Sequence, residues 1–120
     1  MTIAHISDYI EQPPLKYRYP IDTYEQALSL LKGKNAKNNK CPMHLGCYLS
    51  EVDEAIALFF EGEPIMYWTV DNAVIFPDEV IMDMNVRQLK RINYYMLTGV
   101  SIVKDNGVWC AKNESGVYPI

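Results

Sequence analysis

The sequence predicts an α+β fold: an antiparallel β-meander plus a C-terminal hairpin, with two helices packed on one face. Apolar residues recur with helical spacing near residues 22–33 and 85–97, which predicts two amphipathic helices. The β-prone segments between and after them are joined by links of only a few residues. Because a parallel crossover needs about a dozen residues, these links predict antiparallel strands. The 120 residues are expected to form a single domain, because domains of about 100–150 residues are the commonest.

The first helix is predicted to begin at Asp22, whose side chain can cap it, with Glu25 three residues later as the reciprocal partner. Gly33 is expected to end this helix, because glycine readily adopts the left-handed conformation that follows a helix C-terminus. Residues 1–20 contain three prolines and are predicted to be an irregular N-terminal segment.

The meander is predicted from residue 41 onward. Residues 41–50 alternate in apolar character with a period of two, which is typical of one half-buried strand. A polar turn at 51–54 follows, and the remaining β-prone segments are separated by Gly62 and by the Asp71-Asn72 turn signal. These segments are 55–60, 65–70 and 73–76.

The C-terminal third is predicted to contain the second helix and the last hairpin. Residues 80–84 are expected to form a short additional strand. Asn85 then caps the second helix, since asparagine accepts backbone N–H bonds well at this position. Strands 100–103 and 108–111 are joined across Asn106-Gly107, the strongest short signal for a β-hairpin.

Charge is distributed unevenly along the chain, although the net charge is only −4. Residues 51–83 carry nine acidic side chains and no basic one, and an acidic surface attracts a basic partner. Exposed tyrosines are typical of protein interfaces, because they combine a large contact area with a polar group. The alternative interpretation is that the acids only hydrate turns and the tyrosines only close the open end of the sheet. The predicted partner-binding residues are Glu51, Asp53, Glu54, Glu61, Glu63, Tyr17 and Tyr19.

A second hypothesis is a regulatory protein that binds nucleic acid through the basic helix 85–97. Arg87, Lys90 and Arg91 would contact the nucleic acid. The polar side chains near them on this helix are Asn85, Gln88 and Asn93. The sequence pI of about 5.1 argues against this hypothesis, because nucleic-acid-binding domains are usually basic.

A third hypothesis is a small-ligand or zinc-binding module, since Cys41, His44 and Cys47 have the spacing C-x2-H-x2-C and Cys110 could be a fourth ligand. In one extended strand, however, His44 would lie on the face opposite the two thiols. The two sulfurs would also be roughly 20 Å apart. Free, buried cysteines and no cofactor are therefore the favoured interpretation.

The sequence contains neither a G-x-G-x-x-G motif nor a P-loop, and no pattern selects a catalytic pair. The protein is accordingly predicted not to be an enzyme. The longest apolar run, at 55–60, has six residues, whereas a membrane span needs about 20. Three cysteines without a secretory signal are typical of a cytoplasmic protein.

Residues 34–111 resemble a class of small bacteriophage-encoded proteins of unknown function. The residues that carry the resemblance are Asn38-Asn39, Ala55-Ile56-Ala57, the hairpin 65–76, the run 87–93 and Gly107-Val108-Trp109. In that class a threonine-rich segment follows the meander, whereas this chain has residues 82–86 there. The resemblance implies a phage accessory protein in the cytoplasm of a bacterial host. Its expected role is to bind a host or antiviral-defence protein and to inhibit or redirect it, as an anti-defence inhibitor does.

Overall fold

The computed structural model describes residues 18–33 and 36–120, whose strands form two antiparallel sheets. The first sheet has five strands in chain order: β1 Lys40–Pro42, β2 Cys47–Val52, β3 Ala55–Phe60, β4 Glu63–Thr69 and β5 Val74–Ile75. The second sheet has three: β6 Ser101–Asp105, β7 Val108–Asn113 and β8 Gly116–Pro119. The helices are α1 Tyr24–Leu31, α2 Asp78–Met82 and α3 Val86–Tyr95. The predicted α+β class, with an antiparallel meander and short helices packed against strands, is confirmed.

Alternation along β3 separates the two faces of the first sheet. Ile56, Leu58 and Phe60 are buried in the core, and the residues opposite them on β4 include Met66 and Trp68. The α1 helix packs across this sheet and contacts β1 to β4. The indole Nε1 of Trp68 donates a hydrogen bond to the Ile21 carbonyl oxygen at 2.8 Å, which fixes the chain entering α1 above the sheet.

The cap of α1 is Thr23 rather than the predicted Asp22, and its side-chain oxygen accepts from the Gln26 N–H at 3.0 Å. Asp22 instead accepts hydrogen bonds from the backbone N–H of Thr98 at 2.7 Å and from its hydroxyl at 3.0 Å. Its carboxylate therefore ties the start of α1 to the turn after α3.

The prediction of a single strand over residues 41–50 is wrong. The chain turns at 43–46, and β1 then pairs antiparallel with β2, so that Cys41 lies opposite Leu49. Leu45 and Gly46 both have left-handed backbone conformations, with φ values of 62° and 74°. Leucine gives no signal for such a conformation, and the period of two continued through the turn, so the sequence pattern hid it.

The predicted strand at 80–84 is also wrong, because residues 78–82 form the short helix α2. Pro77 precedes this helix, and Asp78 and Glu79 occupy its first turn, where acidic side chains favour the helix dipole. Asn85 caps α3, as predicted. Its side chain accepts from the Gln88 N–H at 2.8 Å, and the Gln88 side chain accepts from the Asn85 N–H at 3.0 Å.

The second sheet is joined to the first through α3. Asn93 of α3 is the one buried polar residue among the described residues. Its side chain accepts from the Ile102 N–H at 2.7 Å and donates to the Ile102 carbonyl oxygen at 3.0 Å. The predicted Asn106-Gly107 hairpin is present, and the chain then adds β8. One hydrophobic cluster contains residues of both sheets, including Trp68 and Trp109.

Candidate functional site

The face of the first sheet that lies away from the core is only partly covered. Its residues from β2 and β3 include Tyr48 and Phe59, which occupy opposite positions and stack in parallel with their ring centroids 4.9 Å apart. Tyr67 of β4 also lies on this face, opposite Ala57 of β3. Because Tyr48, Phe59 and Tyr67 are all half-buried and outside the core cluster, we call this surface the open face.

A groove of about 730 Å³ lies at one end of the open face. It is formed where β2 turns into β3 and where β4 turns toward β5. The pairing of Ala55 with Thr69 and of Tyr67 with Ile75 brings residues far apart in sequence to this one place. The lining residues are Val52, Asp53, Glu54, Ala55, Tyr67, Thr69, Val70, Asp71 and Ile75. We call it the acid-rimmed groove.

The turns at the groove supply all of its charge. Asp53, Glu54 and Asp71 are exposed acids, and the lining contains no basic residue. The Thr69 hydroxyl donates a hydrogen bond to the Asp71 carboxylate and lowers the pKa of Asp71. The same hydroxyl oxygen accepts from the Ala73 N–H at 3.0 Å, which stabilises the turn. The groove thus combines an apolar floor with a negatively charged rim.

The structure divides the five predicted partner-binding acids between two ends of the sheet. Asp53 and Glu54 line the groove, whereas Glu51 pairs with the core residue Ile56 and therefore projects from the opposite face of the sheet. Glu61 and Glu63 belong to the β3–β4 turn region at the other end of strands roughly 20 Å long. The sequence predicts a single acidic surface. The β2–β3 and β3–β4 turns lie at opposite ends of the strands, so the acids form two separate groups.

The two tyrosines predicted to bind a partner give little to this surface. Tyr17 lies outside the described residues. Tyr19 is 37% exposed, and its ring lies 6.5 Å from the ring of Tyr95. The backbone N–H of Tyr19 donates to the Tyr94 carbonyl oxygen at 3.0 Å, so Tyr19 is held beside the end of α3 rather than at the groove.

Two of the three basic residues of α3 already have partners within the chain. Arg87 forms an ion pair with Glu61 at 2.6 Å. The Arg91 guanidinium lies 4.4 Å from the centroid of the Phe60 ring, and its Nε donates to the Leu45 carbonyl oxygen at 3.2 Å. Lys90 is exposed.

The polar neighbours of these bases on α3 are also committed to the fold. In the nucleic-acid hypothesis Asn93 would contact the bases, but this residue is only 4% exposed and its side chain is hydrogen-bonded to Ile102. Asn85 and Gln88 satisfy each other's backbone N–H groups in the cap of α3. Of the six polar and basic side chains considered on this helix, only Lys90 therefore remains both exposed and without a described contact.

The candidate zinc ligands are not assembled into a site. In residues 18–33 and 36–120, no three His, Cys, Asp or Glu side chains gather where they could hold a metal ion. Cys41, Cys47 and Cys110 are buried and form no disulfide, and their burial agrees with the interpretation as core thiols. The expected 20 Å separation along one strand is wrong, however, because Cys41 and Cys47 lie on neighbouring strands. His44 is exposed in the turn between them, and its carbonyl oxygen accepts from the Tyr95 hydroxyl at 2.7 Å.

Sequence reasoning missed most of the groove. The sequence predicts only strand or turn positions for Val52, Ala55, Tyr67 and Ile75, because nothing in their local pattern separates them from other strand residues. Asp71 was counted among the nine acids but was treated only as a turn residue. One feature could have indicated Tyr67: it lies between Met66 and Trp68 on one strand, and side chains of neighbouring strand residues point to opposite faces of the sheet. Tyr67 therefore lies on the face away from the core.

Comparison of this chain with protein-family models, curated proteins and solved structures finds no match. The resemblance to small phage-encoded proteins therefore stays a prediction. None of the helices in the described part of the chain is both long and apolar enough to cross a membrane.

Proposed function

We propose that this protein is a non-enzymatic binding protein that docks a basic region of a partner protein on its open face. The observation that carries the proposal is the acid-rimmed groove, whose lining is mostly apolar and whose charged residues are all acidic. The occupant that complements such a surface has cationic groups at the ends of apolar stems. A basic protein segment has this chemistry.

The setting that we propose is the cytoplasm of a bacterial host, where the protein would act as a phage accessory protein. Binding would block or redirect a host or antiviral-defence protein by occupying its basic surface. Many enzymes that handle nucleic acids present such surfaces, and an acidic protein is attracted to them over a distance. This role requires only stoichiometric binding and no catalytic group.

The nucleic-acid hypothesis has less support, because Arg87 and Arg91 are engaged with Glu61 and Phe60. A salt titration distinguishes the two hypotheses. Tight binding of DNA or RNA that weakens steeply with salt and is lost in Lys90→Ala would overturn the proposed docking of a basic protein.

The proposal is tested by charge reversal at the groove. A partner is captured from bacterial lysate with the full chain, identified, purified and measured by calorimetry against Asp53→Lys/Glu54→Lys. We expect at least about tenfold weaker binding, because the rim charge changes from attractive to repulsive.

The matched control is Asp83→Lys/Glu114→Lys, which makes the same change in net charge at exposed positions outside the groove lining and outside the predicted partner-binding residues. It should retain the affinity within about twofold. The proposal fails if both double variants weaken binding equally, or if the groove variant binds as tightly as the unaltered chain.

A further inference from the structure

We infer that the acid-rimmed groove is a binding site for an arginine side chain, which would anchor the partner. This inference rests on the proposed function for its biological meaning, because a protein partner would supply the arginine. The site itself, however, can be tested with a small peptide and without knowledge of the partner.

The groove has the size and lining of a ligand site. Its volume of about 730 Å³ lies in the range of roughly 300–1,000 Å³ that is typical of small-molecule pockets. Val52, Ala55 and Ile75 give it apolar walls. The methylene stem of an arginine can lie along such walls while its charged end stays at the rim.

The charges at the rim are available to a ligand. In the described part of the chain, Asp53, Glu54 and Asp71 form no ion pair, in contrast to Glu61 with Arg87. Asp71 accepts from the Thr69 hydroxyl, and this bond leaves carboxylate lone pairs that can accept a guanidinium.

Tyr67 supplies the aromatic ring that distinguishes arginine from lysine. The chain already uses this contact elsewhere, because the guanidinium groups of Arg87 and Arg91 lie over the Phe60 ring. Within residues 18–33 and 36–120, no cation lies over Tyr67, although it lines the same groove as three carboxylates. A planar guanidinium can stack on the ring and bond a carboxylate with two N–H groups, whereas an ammonium is more strongly hydrated and makes point contacts.

The experiment is a titration of the full chain, labelled with ¹⁵N, with the peptide acetyl-Gly-Arg-Gly-amide, followed by amide chemical shifts. We expect saturable shifts at Ala55, Thr69 and Ile75, with a dissociation constant on the order of 1 mM. The matched peptide with citrulline keeps the shape of arginine but lacks the charge, and it should bind at least about fivefold more weakly than the arginine peptide. The matched peptide with lysine should bind about threefold more weakly than the arginine peptide.

Two pairs of variants separate the charge from the ring. Asp53→Asn/Glu54→Gln should weaken arginine binding about fivefold, whereas Asp83→Asn/Glu114→Gln, at exposed positions outside the groove lining, should not change it. Tyr67→Leu should abolish the preference for arginine over lysine, whereas Tyr48→Leu, the same change elsewhere on the open face, should keep it.

If Tyr67→Leu does not fold, as judged by its amide spectrum, the citrulline comparison and the neutralised rim still decide the inference. Equal binding of citrulline and arginine, or shifts confined to residues outside the groove, would overturn it. Equal binding of lysine would also overturn the assignment to arginine. The proposed function would survive such a failure if partner binding still weakened in Asp53→Lys/Glu54→Lys. Conversely, arginine binding without any effect of these substitutions on the partner would remove only the proposed function.

Discussion

The thiol of Cys47 lies in the core at the start of β2, beside the turn that joins β1 to β2. Only 4% of this residue is exposed, and its weak donor points toward the Leu45 carbonyl oxygen 3.9 Å away. Burial raises the pKa of Cys47 to about 11, and the positive charge of Arg91 opposes this rise only in part. Because the thiolate is the reactive form, Cys47 is suited to packing and not to nucleophilic chemistry.

The raised pKa makes stability depend on pH in the alkaline range. The unfolded thiol ionises near its ordinary pKa of 9.0, whereas the folded thiol keeps its proton up to about pH 11. The stabilisation is therefore complete below pH 9, and it is lost as the pH rises from 9 to 11. We expect Cys47 alone to lower the free energy of unfolding by about 2 kcal/mol in this interval, measured by urea unfolding at several pH values as the difference in pH dependence between the unaltered chain and Cys47→Ala.

Cys47→Ala is the control for this assignment. It lacks the thiol, so its free energy of unfolding should decrease less between pH 9 and pH 11 than that of the unaltered chain. Burial also raises the pKa of Tyr95, and this group adds a loss of the same sign above its ordinary pKa of 10.0 in both proteins. Parallel pH profiles for the two proteins would show that Cys47 does not contribute.

The α3 helix contacts a strand of each sheet, β4 in the first and β6 in the second. The amide of Asn93 bonds the backbone N–H and carbonyl of Ile102 at the edge of β6, where a neighbouring strand would otherwise pair. The backbone of Asn93 is bonded as well, because the Arg18 Nε donates to the Asn93 carbonyl oxygen at 2.8 Å. Asn93 therefore satisfies the edge of the second sheet and attaches that sheet to the helix.

Asn93→Ala should destabilise the protein by about 2–4 kcal/mol, because it leaves a buried N–H and a buried carbonyl oxygen without partners. Asn85→Ala is the matched control on the same helix. It removes an exposed cap and should cost about 1 kcal/mol. Urea unfolding at neutral pH measures both values, and equal losses in the two variants would contradict the role assigned to Asn93.

Elements with a local chemical signal were predictable, and those shaped by distant contacts were not. The turns at Asp71-Asn72 and Asn106-Gly107 were predicted, because asparagine and glycine adopt left-handed conformations readily. The turn at 43–46 was not, since Leu45 shows no such preference. The α2 helix was mistaken for a strand, because a short apolar run does not distinguish the two and only its acidic first turn indicates a helix.

At the scale of the whole molecule, the sequence predicts which acidic residues are exposed better than it predicts which residues lie together on one surface. Asp53 and Glu54 were predicted to bind a partner, and they line the groove. Their neighbours Tyr67 and Ile75 come together with them only through strand register, which no local pattern encodes. The β3–β4 hairpin places Glu61 at the opposite end of the sheet, so closeness in sequence does not predict a shared surface.

The two sheets should unfold as one cooperative unit, because a single core cluster contains residues of both. Each sheet has its own buried tryptophan, Trp68 in β4 and Trp109 in β7. Trp109→Phe leaves a reporter in the first sheet, and Trp68→Phe leaves one in the second.

Trp68→Phe loses the hydrogen bond to the Ile21 carbonyl oxygen, which we expect to lower the free energy of unfolding by about 1 kcal/mol. The fluorescence transition of each variant is therefore compared with the circular dichroism transition of the same variant. Both pairs of urea transitions should coincide. A fluorescence midpoint for Trp109 well below the dichroism midpoint of the same variant would mean that the second sheet unfolds separately and that α3 does not couple the sheets.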